Sequence, residues 1–120
     1  MVAYNMTTGS WFNVTTATFT KSGSFVDGQL QYLPGYGAAG LLIPLGGATS
    51  TALTVDDGRT AVDDFTTLSM YDIASGTWHT QKTTGDHPQA RVSFCSVGVQ
   101  GDGGTFEVIS SLTKRLLSNC

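Results

Sequence analysis

Tyr71-Asp72-Ile73-Ala74-Ser75-Gly76-Thr77-Trp78 repeats an earlier stretch, Tyr4-Asn5-Met6-Thr7-Thr8-Gly9-Ser10-Trp11, that lies 67 residues upstream. In each copy Asn or Asp follows the Tyr and Gly stands two before the Trp. An Asn or Asp side chain accepts hydrogen bonds from nearby backbone amides and opens a turn, and Gly supplies the positive φ that closes it. Each copy therefore predicts strand, tight turn, strand. A recurrent supersecondary unit is the signature of a repeat architecture.

Working outward, the segment between the copies holds the rest of one unit. Leu30 to Tyr32 predicts a short strand, and Pro34-Gly35-Tyr36-Gly37 bends the chain. Leu41 to Leu45 is a continuous apolar run stopped by Gly46-Gly47, which favours a buried strand over a helix. Pro44 within it must sit where no ladder donor is needed. Residues 48–64 are polar and hold four of the nine acids, Asp56, Asp57, Asp63 and Asp64. Phe65 to Tyr71 and Thr77 to Lys82 predict strands, then Thr84 to Pro88 a turn. Ser93 to Gln100, the turn Gly101-Asp102-Gly103-Gly104 and Thr105 to Ile109 predict a hairpin. The order is the end of one unit, a whole unit with strands near 29–33, 41–45, 65–71 and 77–82, and the start of a third. A four-stranded antiparallel unit repeated along a chain is a β-propeller blade.

Composition agrees. The 120 residues are 40% apolar but only 12% charged, and 15 are Gly. That is too apolar for a disordered chain and suits many short strands joined by turns. The net charge is −3 and the six basic residues are scattered, so no nucleic-acid footprint is present. No apolar stretch approaches the roughly 20 residues of a membrane span, so direct membrane insertion by this chain is not expected. Met1-Val2-Ala3-Tyr4-Asn5 has neither the charged nor the apolar region of a secretory signal, and Met1 need not be a natural start. The two cysteines, Cys95 and Cys120, are too few for a disulfide framework. Cys95 reads as a small buried hydrophobe, with a bridge to Cys120 as the alternative.

The chain resembles the kelch-repeat β-propeller family, and most of all fungal surface or secreted kelch-repeat proteins. The resemblance rests on Gly46-Gly47 after an apolar second strand, on Tyr71, Gly76 and Trp78 with their earlier counterparts Tyr4 and Trp11, and on Pro88-x-x-Arg91 before the next first strand. It covers residues 1–109 and implies an all-β fold. That fold is a partial propeller of about two four-stranded antiparallel blades, not a closed ring. The parts are 1–28, the end of one blade with a connecting loop; 29–83, a full blade with the insertion 48–64; 84–109, the start of the next blade; and 110–120, a divergent tail. The unit exceeds the roughly 50 residues of a kelch repeat because of the insertion. The tail lacks the expected Gly-Gly strand, as in a truncated or mis-spliced product; a basic tail helix carrying Leu112, Leu116 and Leu117 is the alternative. The tyrosines and tryptophans are expected to anchor neighbouring sheets, and Arg91 to bridge backbone carbonyls between blades.

No catalytic, cofactor or metal site is expected. His79 and His87 have no partner at metal-ligand spacing, and no Gly-x-Ser-x-Gly elbow occurs. Gly76 stands two before Trp78, not the three of a glycosidase aspartate box. Asn5-Met6-Thr7 and Asn13-Val14-Thr15 are sequons, so Asn5 and Asn13 are candidate glycan sites if the chain is secreted. Asp56, Asp57, Asp63 and Asp64 form a candidate binding loop or a solvated spacer. The function this implies is an interaction scaffold presenting loops to a protein or glycan partner, extracellular or at the cell surface if the fungal resemblance holds. The alternative is a non-catalytic piece of a propeller enzyme, a galactose-oxidase-like oxidase or a glycosidase. In a four-stranded blade the links 18–28, 48–64 and 83–90 should share one end, and open blade edges should favour self-association.

Overall fold

The structure is a computed structural model that describes residues 1–17, 25–49, 60–61 and 65–111. It is all-β and antiparallel. Val2–Asn5 (β1) and Ser10–Asn13 (β2) form a hairpin. Gln29–Leu33 (β3), Leu41–Leu45 (β4), Thr67–Asp72 (β7) and Thr77–Lys82 (β8) form a four-stranded sheet in the order β3-β4-β7-β8. Between its halves Ala48–Thr49 (β5) pairs with Thr60–Ala61 (β6). Cys95–Gln100 (β9) and Phe106–Ser111 (β10) form a second hairpin, closed by a 3-10 turn at Asp102–Gly104. No closed barrel is present among the described residues.

The two Tyr-to-Trp stretches fold alike because their turns use the same bonds. Asn5 Oδ1 accepts from the amides of Thr7 and Thr8 at 2.9 and 3.1 Å. Asp72 Oδ1 accepts from the amide of Ala74 at 3.0 Å, and Ser75 Oγ donates to Asp72 Oδ2 at 2.9 Å. Gly9 and Gly76, with φ of +66° and +70°, donate their amides to the carbonyls of Asn5 and Asp72 at 2.8 and 2.9 Å. Tyr4 thus comes opposite Trp11, and Tyr71 opposite Trp78. Their ring centroids lie 4.8 and 5.2 Å apart, tilted in both cases.

Pro44 is accommodated as the sequence requires. β4 pairs with β7 only at Leu41↔Asp72 and Leu42↔Tyr71, so Pro44 lies two residues beyond the last pair, where β7 takes no amide from it.

The core lies between the four-stranded sheet and the β9–β10 hairpin. Leu33, Ile43 and Leu45 from the sheet bury Phe94, which is 2% exposed, and Phe106 from β10 packs against the cluster. The inner strands meet through Gln31, whose Nε2 donates to Ser96 Oγ at 2.6 Å. At the far end the Tyr36 hydroxyl donates to the Gly104 carbonyl at 2.6 Å.

Three expectations need amendment. The 48–64 stretch is not irregular throughout, since β5 and β6 pair at its ends. β10 runs on to Ser111, two residues into the stretch set apart as a tail. Cys95 is not a free thiol: it is disulfide-bonded. Cys120, Leu112, Leu116, Leu117, Asp56, Asp57, Asp63 and Asp64 lie outside the described residues, as do residues 18–24 of the first link.

Candidate functional site: the end of the blade that carries the long links

At one end of the sheet the chain enters twice, into β3 and β7, and leaves twice, from β4 and β8, and the structure ties these four points together. Gly46 and Gly47, at the end of β4, have φ of +55° and +85°. The Gly47 amide donates to the Arg91 carbonyl at 2.8 Å. A Cβ on Gly46 would fall 2.6 Å from that same carbonyl oxygen and 2.6 Å from the Phe94 ring. A Cβ on Gly47 would fall 2.6 Å from the Phe25 ring. The pair is therefore glycine for two reasons, backbone conformation and absence of room.

Val26 and Ala48 exchange two backbone bonds of 2.9 Å each, which join the link before β3 to the start of the insertion. The Thr83 amide donates to the Thr66 carbonyl at 3.0 Å, which joins the end of the insertion to the link after β8. The Ser93 amide donates to the Asp27 carbonyl at 2.9 Å. The described ends of the links 18–28, 48–64 and 83–90 thus meet at one end of the blade, as the alternation of strand direction requires. The short turns at 34–40, 72–76 and 101–104 gather at the other, where Ile73 bonds Gly40 and Tyr36 bonds Gly104.

Arg91 stands between the blades, but not with the bonding its sequence position suggested. Its main-chain carbonyl makes the bond to the preceding blade. Its guanidinium donates from Nε to the Gln89 carbonyl at 3.2 Å and from Nη1 to Ser110 Oγ at 3.3 Å. It also lies 5.9 Å from the centroid of the Phe65 ring, a cation–π contact across the junction. Asp27, Phe65 and Ser93 all take positive φ, between +52° and +60°, without being Gly. No residue type in the sequence signals these positions, because the tertiary bonds hold them there. Phe94, the central residue of the junction, was legible only as one apolar residue in a strand-like run.

Below this junction an apolar cavity of about 350 Å³ opens between the sheet and the β9–β10 hairpin, with Phe65, Phe94 and Phe106 in its walls and Asp86, His87 and Pro88 at its rim. Leu45, Leu68, Phe106 and Val108 also line a neighbouring cavity of about 580 Å³. His87 is exposed, and so is His79, whose Nε2 lies 3.0 Å from Thr77 Oγ1. Among the described residues no group of three or more His, Cys, Asp or Glu could hold a metal ion. Asn5 and Asn13 are both exposed. The Asp72 carboxyl is held below its ordinary value, chiefly by the hydrogen bond from Ser75 and then by the Ala74 amide.

A four-stranded antiparallel sheet, flanked by half sheets and packed on its successor through an inner strand, is the architecture of a partial β-propeller. Comparison adds the kind of repeat. The chain is 33% identical over 104 residues to a kelch repeat-containing protein of the fungus Arthroderma benhamiae (strain ATCC MYA-4681 / CBS 112371), which bears out the kelch-repeat resemblance. The match spans 83% of this chain and 14% of that protein. No family model matches the chain, and no solved structure matches it significantly.

Proposed function

We propose that the chain is a kelch-type interaction scaffold and that the end carrying the long links is its binding surface for a protein or glycan partner. The observation that carries this reading is the gathering of the links. Bonds from Gly47 to Arg91 and from Thr83 to Thr66 fix their ends on a rigid sheet, and binding residues concentrate on long loops held by rigid scaffolds. The apolar cavity with Asp86 and His87 at its rim supplies the mixture of apolar wall and few polar groups that ligand sites use. The acids Asp56, Asp57, Asp63 and Asp64 belong to the insertion anchored there and would favour a basic partner. No catalytic step is assigned to the surface.

The pairing of Thr49 with Thr60 allows a clean test. Residues 50–59 can be replaced by Asn-Gly, a two-residue hairpin turn, with β5 and β6 kept. Wild type, this variant and the double variant D86A/H87A would be applied to a glycan array and to an array of basic peptides. Selective loss of a wild-type signal in the variants, with unchanged thermal unfolding, supports the reading. Undiminished binding rejects it.

A further inference from the structure

Half of the sequon Asn5-Met6-Thr7 has no part in the turn that contains it. Asn5 and Asp72 open equivalent turns, each accepting at Oδ1 from the amide two residues on, Thr7 at 2.9 Å and Ala74 at 3.0 Å. The second copy shows that this turn requires neither the Asn nor the Thr of the first, since Asp72 and Ala74 stand in their places. Thr8 Oγ1 lies 2.6 Å from Ser10 Oγ, as Ser75 Oγ lies 2.7 Å from Thr77 Oγ1. The exposed Thr7, by contrast, bonds through its hydroxyl to none of the described residues. An Asn with a hydroxyl residue two positions on is what N-linked glycan transfer reads.

The turn also presents the acceptor atom. Both side-chain bonds of Asn5 fall on Oδ1, from the amides of Thr7 and Thr8, and Nδ2 donates to none of the described residues. A sugar on Nδ2 leaves the carbonyl oxygen its acceptor role, so the turn survives the modification. The exposure of this site does not depend on what lies beside β1. Asp72 holds the same position in a complete four-stranded sheet, and the bonds that its carboxyl accepts remain at the surface there. Asn13 of the second sequon is placed differently, in the β2 ladder opposite Val2 and on the strand face of Trp11. The compartment is indicated independently: Cys95 is disulfide-bonded, and such bonds form and persist in oxidising surroundings such as the endoplasmic reticulum lumen and the cell exterior.

We propose that Asn5 is an N-glycosylation site. The donor is an oligosaccharide carried on a polyprenyl pyrophosphate. Asn5 Nδ2 attacks the anomeric carbon of the first sugar and forms the C–N bond. The bond from that carbon to the pyrophosphate oxygen breaks, its electron pair leaves with the polyprenyl pyrophosphate, and one Nδ2 proton passes to a base of the transferase. By the equivalence of the 5–9 and 72–76 turns, the glycan stands at the short-turn end of its blade, and the end with the long links is left uncovered.

The test uses the protein produced from its own gene at its own locus. Enzymatic removal of N-glycans in heavy-oxygen water converts a glycan-bearing Asn to labelled Asp, and peptide fragmentation by mass spectrometry then reads Asn5 and Asn13 separately. Label at Asn5 is expected in the wild type. T7S keeps the hydroxyl and should keep the label. T7A takes the residue that the other turn already carries as Ala74 and should lose the label completely. An unlabelled Asn5 in the wild type overturns the proposal. So does equal labelling of Asn5 in T7A, which marks deamidation without a glycan. The wild-type reading stands by itself if T7A fails to accumulate.

Discussion

The amide of Gly47 donates to the carbonyl of Arg91 at 2.8 Å, so a main-chain bond ties the end of one blade's second strand to the entry of the next blade. Gly46 beside it has no room for a side chain, with Arg91 O and the Phe94 ring each 2.6 Å from its notional Cβ. G46V adds positive-φ strain to overpacking of the junction and is expected to cost about 2–5 kcal/mol. G85A is the control: its φ is +88° but nothing lies within 4 Å of its Cβ, so it should show conformational strain alone, about 1–2 kcal/mol. Urea denaturation of the two variants measures the difference, and equal costs would contradict the account.

Because the blade-to-blade bond belongs to the Arg91 backbone, removing the side chain leaves it in place. R91A loses two hydrogen bonds to neutral groups and the contact with the Phe65 ring. The expected cost is about 1–2 kcal/mol, less than that of G46V. A larger loss for R91A in the same denaturation series would show that the guanidinium, not the main chain, holds the junction.

The equivalent aromatic residues of the two repeats should respond differently. Tyr71 is buried and Tyr4 half exposed. Y71A is expected to cost about 3–5 kcal/mol as a large-to-small core change. Y4A, on a hairpin whose tyrosine is half exposed, should stay within about 1 kcal/mol. Trp78 is only partly buried and should fall between them. Thermal unfolding of the three variants gives the ranking, and a Y4A effect as large as that of Y71A would refute it.

The two turns should differ in their response to acid. The Asp72 carboxyl is held below its ordinary value by Ser75 and the Ala74 amide, while Asn5 does the same work without a titrating group. A depressed folded value means that the stabilisation is fully present above the unfolded value and is lost as the pH falls through the folded one. Stability should therefore drop on acidification below the ordinary aspartate range, and D72N should flatten that part of the profile. The carboxyl carbon shift of Asp72, followed by NMR against pH, checks the direction; a midpoint at or above the ordinary value would contradict it.

Cys95 is disulfide-bonded. Iodoacetamide should leave it unmodified in the native protein and label it after reduction, as read by peptide mass. Labelling without reductant would show a free thiol.

The sequence by itself determined the eight blade strands, their order and their turns, but not the β5–β6 pair inside the insertion. Those features rest on local chemistry: the Asx bonds of Asn5 and Asp72, the positive φ of Gly9 and Gly76, and the apolar run from Leu41 to Leu45 stopped by Gly46-Gly47. The same local signals placed Pro44 at an unpaired position and the long links at one end, because strand direction must alternate in an antiparallel sheet. Tertiary structure alone decided which Tyr-Trp pair is buried, since burial of Tyr71 depends on Leu42, 29 residues away in the chain. It alone put Phe94 over Gly46, gave the blade-to-blade bond to the Arg91 carbonyl and not its guanidinium, and held Asp27, Phe65 and Ser93 at positive φ. These are long-range relations, and no residue type announces them, because each is the outcome of two distant segments competing for the same space and the same hydrogen bonds.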